Sequence, residues 1–246
     1  MKKTISCLFL FGALSANAIE LEMLSGDTKL ACEAMLCLAS PTKPSECAPS
    51  LSRYFSIDAK KWKDVVAKRK SFLNLCPVDS SSDPEMYNYK NNILVNLDGE
   101  CSTAALNQRV EKVVLRTEKR CDSDGDNCYT IYHYGYRINP QLTNSCKLLA
   151  SSKYTDYRLK YTCDTRFYTQ AEWDRGSTLQ EVSMDIYNAL PISQREQGEK
   201  LTQISRAEFY RLPANQRKII NNQFYRVSIA YYQKNSINKQ CWINEE

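Results

Sequence analysis

The spacing of apolar positions changes along the chain, and the change divides it into three regions. In residues 19–78 apolar side chains recur at helical spacing. In "DAKKWKDVVAKRKSFLNLC", for example, Trp62, Val65, Phe72 and Leu73 share one face. Prolines interrupt the pattern between shorter segments of the same kind. This region is predicted to form a module of three short helices.

Residues 79–176 are predicted to mix helix and antiparallel strand. The segment "CSTAALNQRVEKVV" begins as a helix with Ser102 as a possible cap. Several later short runs alternate apolar and polar side chains, which is typical of half-buried strands. The runs "VVLRTEKRC" and "YTIYHYGYRI" flank the turn "CDSDGDNC", so they predict an antiparallel hairpin with Asp124 and Gly125 near its tip. The run "YRLKYTCDTRF" predicts a further strand with Cys163 facing inward.

Residues 177–246 are predicted to form a helical tail. Ser193 with Glu196 and Ser205 with Glu208 have capping-box spacing, and "LPISQR" and "LPANQR" form a small repeat. The final segment "NQRKIINNQFYRVSIAYYQK" has an apolar stripe at helical spacing: Ile219, Ile220, Phe224 and Val227. The predicted fold class is therefore α+β and mainly helical, with a disulfide-stapled N-terminal helical module, a small antiparallel hairpin or sheet in the middle and a helical C-terminal tail.

The N-terminal residues 1–18, "MKKTISCLFLFGALSANA", have the features of a secretory signal peptide. Two lysines precede an apolar run, and a small-residue cleavage site follows it. The mature chain is expected to begin near Ile19 and to lose Cys7 with the signal. The apolar run is too short for a membrane span, and no later run reaches eighteen apolar residues. No transmembrane segment is expected after cleavage.

Ten cysteines remain after Cys7, an even number in an exported chain, and five structural disulfides are expected. The order of the predicted elements favours five pairs: Cys32–Cys76, Cys37–Cys47, Cys121–Cys128, Cys146–Cys163 and Cys101–Cys241. The last pair follows only by elimination, since ten cysteines allow roughly a thousand connectivities.

Residues able to support catalysis or metal binding are sparse in this sequence. His133 is the single histidine, and a structural role in its strand is favoured over a catalytic triad. A calcium loop starting at Asp122 would have Asn127 where glycine is required, so a solvated turn is favoured there. Glu33 is the one candidate acid for a cell-wall hydrolase, and an exposed helix position is favoured for it. We therefore expect no enzyme activity, no cofactor and no metal.

The charge of the chain is weakly informative. Without Lys2 and Lys3, 31 of the 33 basic residues remain against 28 acidic ones, a net charge of +3. The densest basic segment, "KKWKDVVAKRK", mixes its charges with acidic and apolar residues. A solvated helix face is favoured over a nucleic-acid site for its basic positions, Lys60, Lys61, Lys63, Lys68, Arg69 and Lys70. No direct nucleic-acid partner is expected.

The segment "CEAMLCLASPTKPSECAPSLSRYFSI", followed by "RKSFLNLCP", resembles the core of the TrbM/KikA family of conjugal transfer proteins. The similarity is carried by Cys32, Glu33, Ala34, Cys37, Leu38, Ser45, Glu46, Cys47, Pro49, Ser50, Leu51, Phe72, Leu73, Cys76 and Pro77. It is clearest over residues 30–78 and extends more loosely to "FYTQAEWDRG".

This resemblance implies a periplasmic accessory protein of a type IV secretion system encoded by a plasmid or an integrative element. It implies no catalytic activity. The partners it implies are other secretion or conjugation proteins, bound during assembly of the channel or pilus. A peptidoglycan hydrolase and a periplasmic folding factor serving the same apparatus are the alternatives.

Overall fold

The computed structural model describes residues 24–79, 81–122 and 124–245. The predicted signal peptide, residues 1–18, lies outside the described residues, and so does Cys7. Of the described residues, 38% are helical and 29% lie in strands, which form three antiparallel sheets. The protein is therefore a mixed α+β structure, and the prediction of a mainly helical fold was wrong.

The elements are numbered here in chain order. The helices are α1 (Gly26–Ala39), α2 (Ala48–Phe55), α3 (Trp62–Leu73), α4 (Pro84–Asn88), α5 (Thr103–Asn107), α6 (Asn144–Ala150), α7 (Gln170–Arg175), α8 (Met184–Ala189) and α9 (Arg206–Phe209). The strands are β1 (Val110–Cys121), β2 (Cys128–Ile138), β3 (Leu159–Tyr161), β4 (Tyr168–Thr169), β5 (Ser177–Val182), β6 (Arg195–Gln203), β7 (Arg217–Ile220), β8 (Gln223–Ser236) and β9 (Trp242–Asn244).

The described chain forms two compact units, each assembled from separate stretches of sequence. The first unit contains residues 24–109, 140–162 and 242–245. The second contains residues 110–139 and 163–241. The units therefore differ from the three consecutive regions expected from the sequence, since strand pairing returns β9 to the first unit.

The first unit is mainly helical, and its core lies between α1, α2, α3 and the chain that follows α4. Three helices, α1 to α3, are present where three were predicted. The π-helical turn Tyr89–Ile93 continues α4 and is followed by a 3₁₀ turn, Leu94–Asn96. Large side chains of this unit are fully buried: Leu38, Tyr54, Leu73, Leu94, Leu97 and Tyr157. Burial of this apolar area is the main term stabilising the unit.

The second unit begins with the predicted hairpin, in which β1 pairs with β2 over their whole lengths. The ladder ends at Cys121 opposite Cys128, and β4 adds a third strand at Gly135. A Cβ atom at Gly135 would lie 2.8 Å from side-chain atoms of Leu115 and Phe167. These distances leave no room for a side chain at Gly135, so glycine allows Leu115 and Phe167 to pack directly against the backbone of β2.

The helical tail predicted for residues 177–246 was wrong, because this part of the chain is mostly a sheet. Strand β8 pairs with β5 and β7 on one side and with β6 on the other. Asn221 and Asn222 have positive φ angles of 50° and 61° and turn the chain between β7 and β8. Asparagine tolerates this left-handed conformation, which ends a helix and suits a two-residue hairpin turn.

The small sequence repeat corresponds to a structural repeat in which a capped helix leads into a strand. The Ser183 hydroxyl accepts a hydrogen bond at the start of α8, and Ser205 does the same for α9. In both copies a Leu-Pro pair and a 3₁₀ turn follow, and an arginine opens the next strand. Ser193 was predicted to be a cap, but it lies inside the 3₁₀ turn Ile192–Gln194 because Pro191 begins that turn.

Candidate functional site

The ten described cysteines form five disulfides, and three of these are the predicted pairs: Cys32–Cys76, Cys37–Cys47 and Cys121–Cys128. The other two predicted pairs, Cys146–Cys163 and Cys101–Cys241, were wrong. The structure instead joins Cys101 to Cys146 and Cys163 to Cys241.

The Cys101–Cys146 disulfide follows from the docking of α6 on the loop before α5. The Ser145 hydroxyl donates a hydrogen bond to the Asp98 carboxylate (2.6 Å) and accepts one from the Gly99 amide (3.1 Å). These bonds hold the first turn of α6 beside that loop, and the Cα atoms of Cys101 and Cys146 are 5.1 Å apart. This proximity depends on a tertiary contact that sequence spacing does not reveal.

The Cys163–Cys241 disulfide follows from the pairing of β3 with β9. Tyr161 lies opposite Trp242 at the end of this antiparallel ladder. The chain segments just outside the ladder are thereby brought together, and the Cα atoms of the two cysteines are 5.0 Å apart. Cys163 does not face inward from a strand as predicted, since β3 ends before it.

An open apolar groove lies on the first unit along α1, with a cavity volume of about 380 Å³. Its floor contains the Cys32–Cys76 disulfide, Met35 and Tyr89, all 3% to 5% exposed. The remaining lining residues are Leu24, Leu36, Ala39, Pro77, Val78, Met86 and Tyr154. The volume lies in the range of small binding pockets, and nearly the whole lining is apolar.

The rim of this groove exposes large aliphatic side chains to solvent. Leu36 is 61% exposed and Val78 is 39% exposed. Single exposed leucines are common on protein surfaces, but here they border a continuous apolar floor. Such a patch is typical of a surface that binds another protein.

Hydrogen bonds hold the floor of the groove in place. The Tyr89 hydroxyl donates to the Met35 carbonyl oxygen of α1 at 2.7 Å. The Lys90 ammonium group donates to the Cys76 carbonyl oxygen at 3.2 Å, and burial lowers the pKa of Lys90. Burial also raises the pKa of Tyr89, so its hydroxyl stays protonated and keeps its donor role. The chain after α4 is thus hydrogen-bonded both to α1 and to Cys76 of the Cys32–Cys76 disulfide.

The α4 side of the rim is ordered by Asp83. Its carboxylate caps α4 by accepting from the amides of Glu85 (2.9 Å) and Met86 (3.2 Å). It also accepts a hydrogen bond from the Tyr154 hydroxyl, and this bond is the main cause that lowers the pKa of Asp83. Two rim residues, Met86 and Tyr154, are therefore positioned by one carboxylate.

Of the six basic positions around α3, the structure leaves five lysines exposed and buries Arg69. Arg69 is 5% exposed, and its guanidinium lies 4.6 Å from the Tyr54 ring centroid and 5.5 Å from that of Trp62. It also donates to the buried Leu97 carbonyl. Burial raises the pKa of Tyr54 to about 12, so the Tyr54 ring is neutral beside the cation. Arg69 therefore belongs to the core of the first unit.

Each residue considered for catalysis or metal binding contacts a neighbour within its own unit. Glu33 on α1 forms an ion pair with Lys29 at 3.8 Å, and His133 on β2 contacts the Glu118 carboxylate at 3.1 Å. The Asp122 carboxylate accepts hydrogen bonds within its own turn, chiefly from Asn127, and these bonds lower the pKa of Asp122.

The part of the chain that the structure describes contains neither a metal-binding cluster nor a membrane-spanning helix. Within it, no group of three or more histidine, cysteine, aspartate and glutamate side chains is arranged to hold a metal ion. Within the same residues, no helix has both the length and the apolar character needed to cross a membrane.

Sequence reasoning did not identify the groove. Its floor comes from the buried face of α1, which contains Ala31, Cys32, Ala34, Met35 and Leu38. The spacing of Ala31, Ala34, Met35 and Leu38 is that of one helix face, and it leaves Leu36 on the outside. The signal in the sequence was Leu36, an aliphatic residue outside the core face of an amphipathic helix, which indicates an exposed apolar surface.

A family model described as TrbM matches residues 23–187, which is more than half of the chain. The match includes the groove and nine of the ten cysteines that the structure describes, all except Cys241. No curated protein and no solved structure matches the chain.

Proposed function

This chain belongs to the TrbM family of conjugal transfer proteins, and we propose that it is a periplasmic, non-catalytic accessory of a type IV secretion system. In this proposal it binds another protein of the transfer apparatus through the groove along α1. The observation that carries the proposal is the exposed apolar rim above a buried, hydrogen-bonded floor, with Leu36 61% exposed.

Export to an oxidising compartment is supported by the disulfides. Five disulfides form within the described chain, and disulfides persist in the periplasm but are rare in the bacterial cytoplasm. The N-terminal sequence has the pattern of a cleavable signal peptide. Osmotic shock of cells making the protein tests the location, and we expect release with the periplasmic fraction. Retention in the spheroplasts would contradict this part of the proposal.

The lining of the groove suits apolar side chains of a partner helix or extended segment. Leucine, valine, proline and tyrosine supply a dry surface, and Met35 and Met86 can adapt to the shape of a partner. The partner is expected to insert a few side chains only, because the cavity is about 380 Å³.

The groove is tested by Leu36→Asp with Leu75→Asp as its control. Leu75 is 44% exposed and is not part of the groove lining. Each variant is expressed in donor cells lacking the gene, and transfer frequency is measured together with the periplasmic level of the protein. We expect Leu36→Asp to reduce transfer at an unchanged protein level, since a carboxylate is costly in an apolar interface. Equal transfer by both variants would refute the role of the groove.

The non-catalytic part of the proposal is tested by Glu33→Gln. This change preserves the shape of the one candidate acid and removes its charge. Transfer is expected to stay at the wild-type frequency, and a loss of transfer without a loss of protein would count against it.

A further inference from the structure

A row of aromatic side chains follows one face of the β1–β2–β4 sheet in the second unit. This row, here named the tyrosine face, consists of Tyr132, Tyr134, Tyr136, Tyr168 and Trp173. Ring centroids are 6.3 Å apart for Tyr132 and Tyr134, 6.3 Å for Tyr136 and Trp173, and 6.4 Å for Tyr168 and Trp173. The first two pairs are stacked.

Strand alternation explains why these residues share a face. Tyr132, Tyr134 and Tyr136 are alternate residues of β2, so their side chains point to the same side of the sheet. Tyr168 lies directly opposite Tyr136 in the neighbouring strand β4 and therefore shares that side. Tyr132 is 52% exposed, so the row is accessible at one end.

Basic side chains accompany these rings. The Lys112 ammonium lies 3.7 Å from the Tyr134 centroid and 5.7 Å from that of Tyr136. Lys239 lies 4.4 Å from the Trp173 centroid, and the Arg166 guanidinium lies 4.4 Å from the Tyr168 centroid. Lys119 is opposite Thr130 in the ladder and shares the face with Lys112. The result is an aromatic surface with interleaved positive charge.

The carboxylates of the hairpin strands point to the opposite face. Glu111 is paired with Arg137 at 2.8 Å, and Glu118 with Arg120 at 2.6 Å. Both strands are fully described, and neither places a carboxylate on the tyrosine face. At the edge of the row Asp164 contacts the Tyr168 hydroxyl at 3.2 Å and 3.3 Å, and it forms an ion pair with Arg166 at 3.8 Å.

We propose that the tyrosine face binds single-stranded nucleic acid. Unpaired bases can stack on the tyrosine and tryptophan rings, and the lysines are placed to contact phosphates. A flexible polyanion with planar rings complements both features, whereas an apolar peptide offers no negative group to the Lys112 ammonium, which lies over the Tyr134 ring. A duplex presents no free base faces to stack on the rings.

This inference does not depend on the groove of the first unit or on the proposed secretion role. It also differs from the expectation drawn from the sequence, in which dispersed basic residues predicted no nucleic-acid partner. Lys112, Arg166 and Lys239 are far apart in the chain, and only the folded sheet collects them beside the rings.

Fluorescence anisotropy of labelled oligonucleotides tests the proposal on the purified protein. The probes are oligodeoxythymidine and oligouridine of about 16 nucleotides and a DNA duplex of the same length. About 16 nucleotides is the upper end of the site sizes found for one single-strand-binding domain. We expect the single strands to bind more tightly than the duplex, with affinity that falls as salt rises. Comparison of the DNA and RNA probes distinguishes the two sources of single strands.

The matched variants are Tyr132→Ala/Tyr134→Ala and Tyr129→Ala. Tyr129 is 59% exposed on the same strand but on the opposite face, so it controls for loss of an exposed tyrosine. We expect the double variant to weaken binding at least about tenfold, the range found for stacked bases, and Tyr129→Ala to leave it unchanged. Urea midpoints of both variants verify that each is folded.

Three results would overturn the proposal. The first is that the wild-type protein binds neither single-stranded probe. Binding of isolated peptidoglycan or of an acidic peptide in place of the probes belongs to this first result. Another is equal affinity for single strand and duplex. The third is an equal loss of affinity in the double variant and in folded Tyr129→Ala.

Discussion

Removal of the Cys32–Cys76 disulfide should destabilise the first unit strongly. The change is Cys32→Ala/Cys76→Ala. Alanine is chosen because a serine hydroxyl would be buried at these positions, where the two cysteines are 3% to 5% exposed. This disulfide closes a loop with a sequence separation of 44. The loop-entropy relation for such a loop gives a loss of about 4 kcal/mol in the free energy of unfolding.

The matched control is Cys121→Ala/Cys128→Ala at the hairpin tip. Its disulfide has a sequence separation of only 7, for which the same relation gives about 2.4 kcal/mol. Both variants are unfolded in urea and followed by far-ultraviolet circular dichroism, with the slopes compared to detect changes in the unfolded state. We expect the longer loop to cost about 1.6 kcal/mol more. An equal or smaller loss for Cys32/Cys76 would refute the loop-entropy reasoning.

Three further predictions concern the core, the rim of the groove and the tail. In urea titrations Arg69→Met should lower the free energy of unfolding by about 1–3 kcal/mol, because a buried carbonyl loses its hydrogen-bond donor. The control Lys70→Met changes an exposed residue and should alter that free energy by less than about 0.5 kcal/mol. Similar losses in the two variants would contradict burial of the arginine. The Tyr154 hydrogen bond lowers the pKa of Asp83 in the folded protein. The ionised Asp83 carboxylate therefore stabilises the protein fully above the unfolded-state pKa of about 3.9. This stabilisation is lost as the pH falls through the lower pKa that Asp83 has in the folded protein. Asp83→Asn should therefore destabilise the protein near pH 7 but not near pH 2, and a difference that persists in acid would disprove the linkage. Asn222→Val should cost about 1–2 kcal/mol because its φ is positive, while Asn222→Gly should stay near the wild type; a tolerated valine would argue against the turn.

The groove along α1 and the tyrosine face lie in different units and differ in chemistry. The groove of the first unit is apolar and suits protein side chains, whereas the tyrosine face of the second unit is aromatic and positively charged. Their roles are therefore separable by substitution. Leu36→Asp should leave oligonucleotide anisotropy unchanged, since Leu36 belongs to the first unit.

Local sequence signals were sufficient for several features. Helical spacing predicted α1 to α3, and alternating residues around an Asp-Gly turn predicted the β1–β2 hairpin. The pairs Cys37–Cys47 and Cys121–Cys128 close short loops, so chain proximity alone favours them. The TrbM motif in residues 30–78 identified the family, which the family match confirmed.

The tail shows where local pattern fails. Residues 217–236 carry apolar side chains that fit a helix as well as a strand, because a short apolar run satisfies both periods. The segment forms strands because the chain turns at Asn221 and Asn222 and because β8 pairs with β5 and β6. Strand pairing is a contact between distant residues, so its energy does not appear in any local window.

The sequence by itself determined the family, the number of cysteines available for disulfides and the elements whose signals are local. Only the tertiary structure decided the partners of Cys101 and Cys163, the burial of Arg69, the open groove beside Leu36 and the gathering of lysines at the tyrosine face. The physical reason is the same in each case. These features depend on which distant segments exclude water from one another, and that is settled by packing of the whole unit.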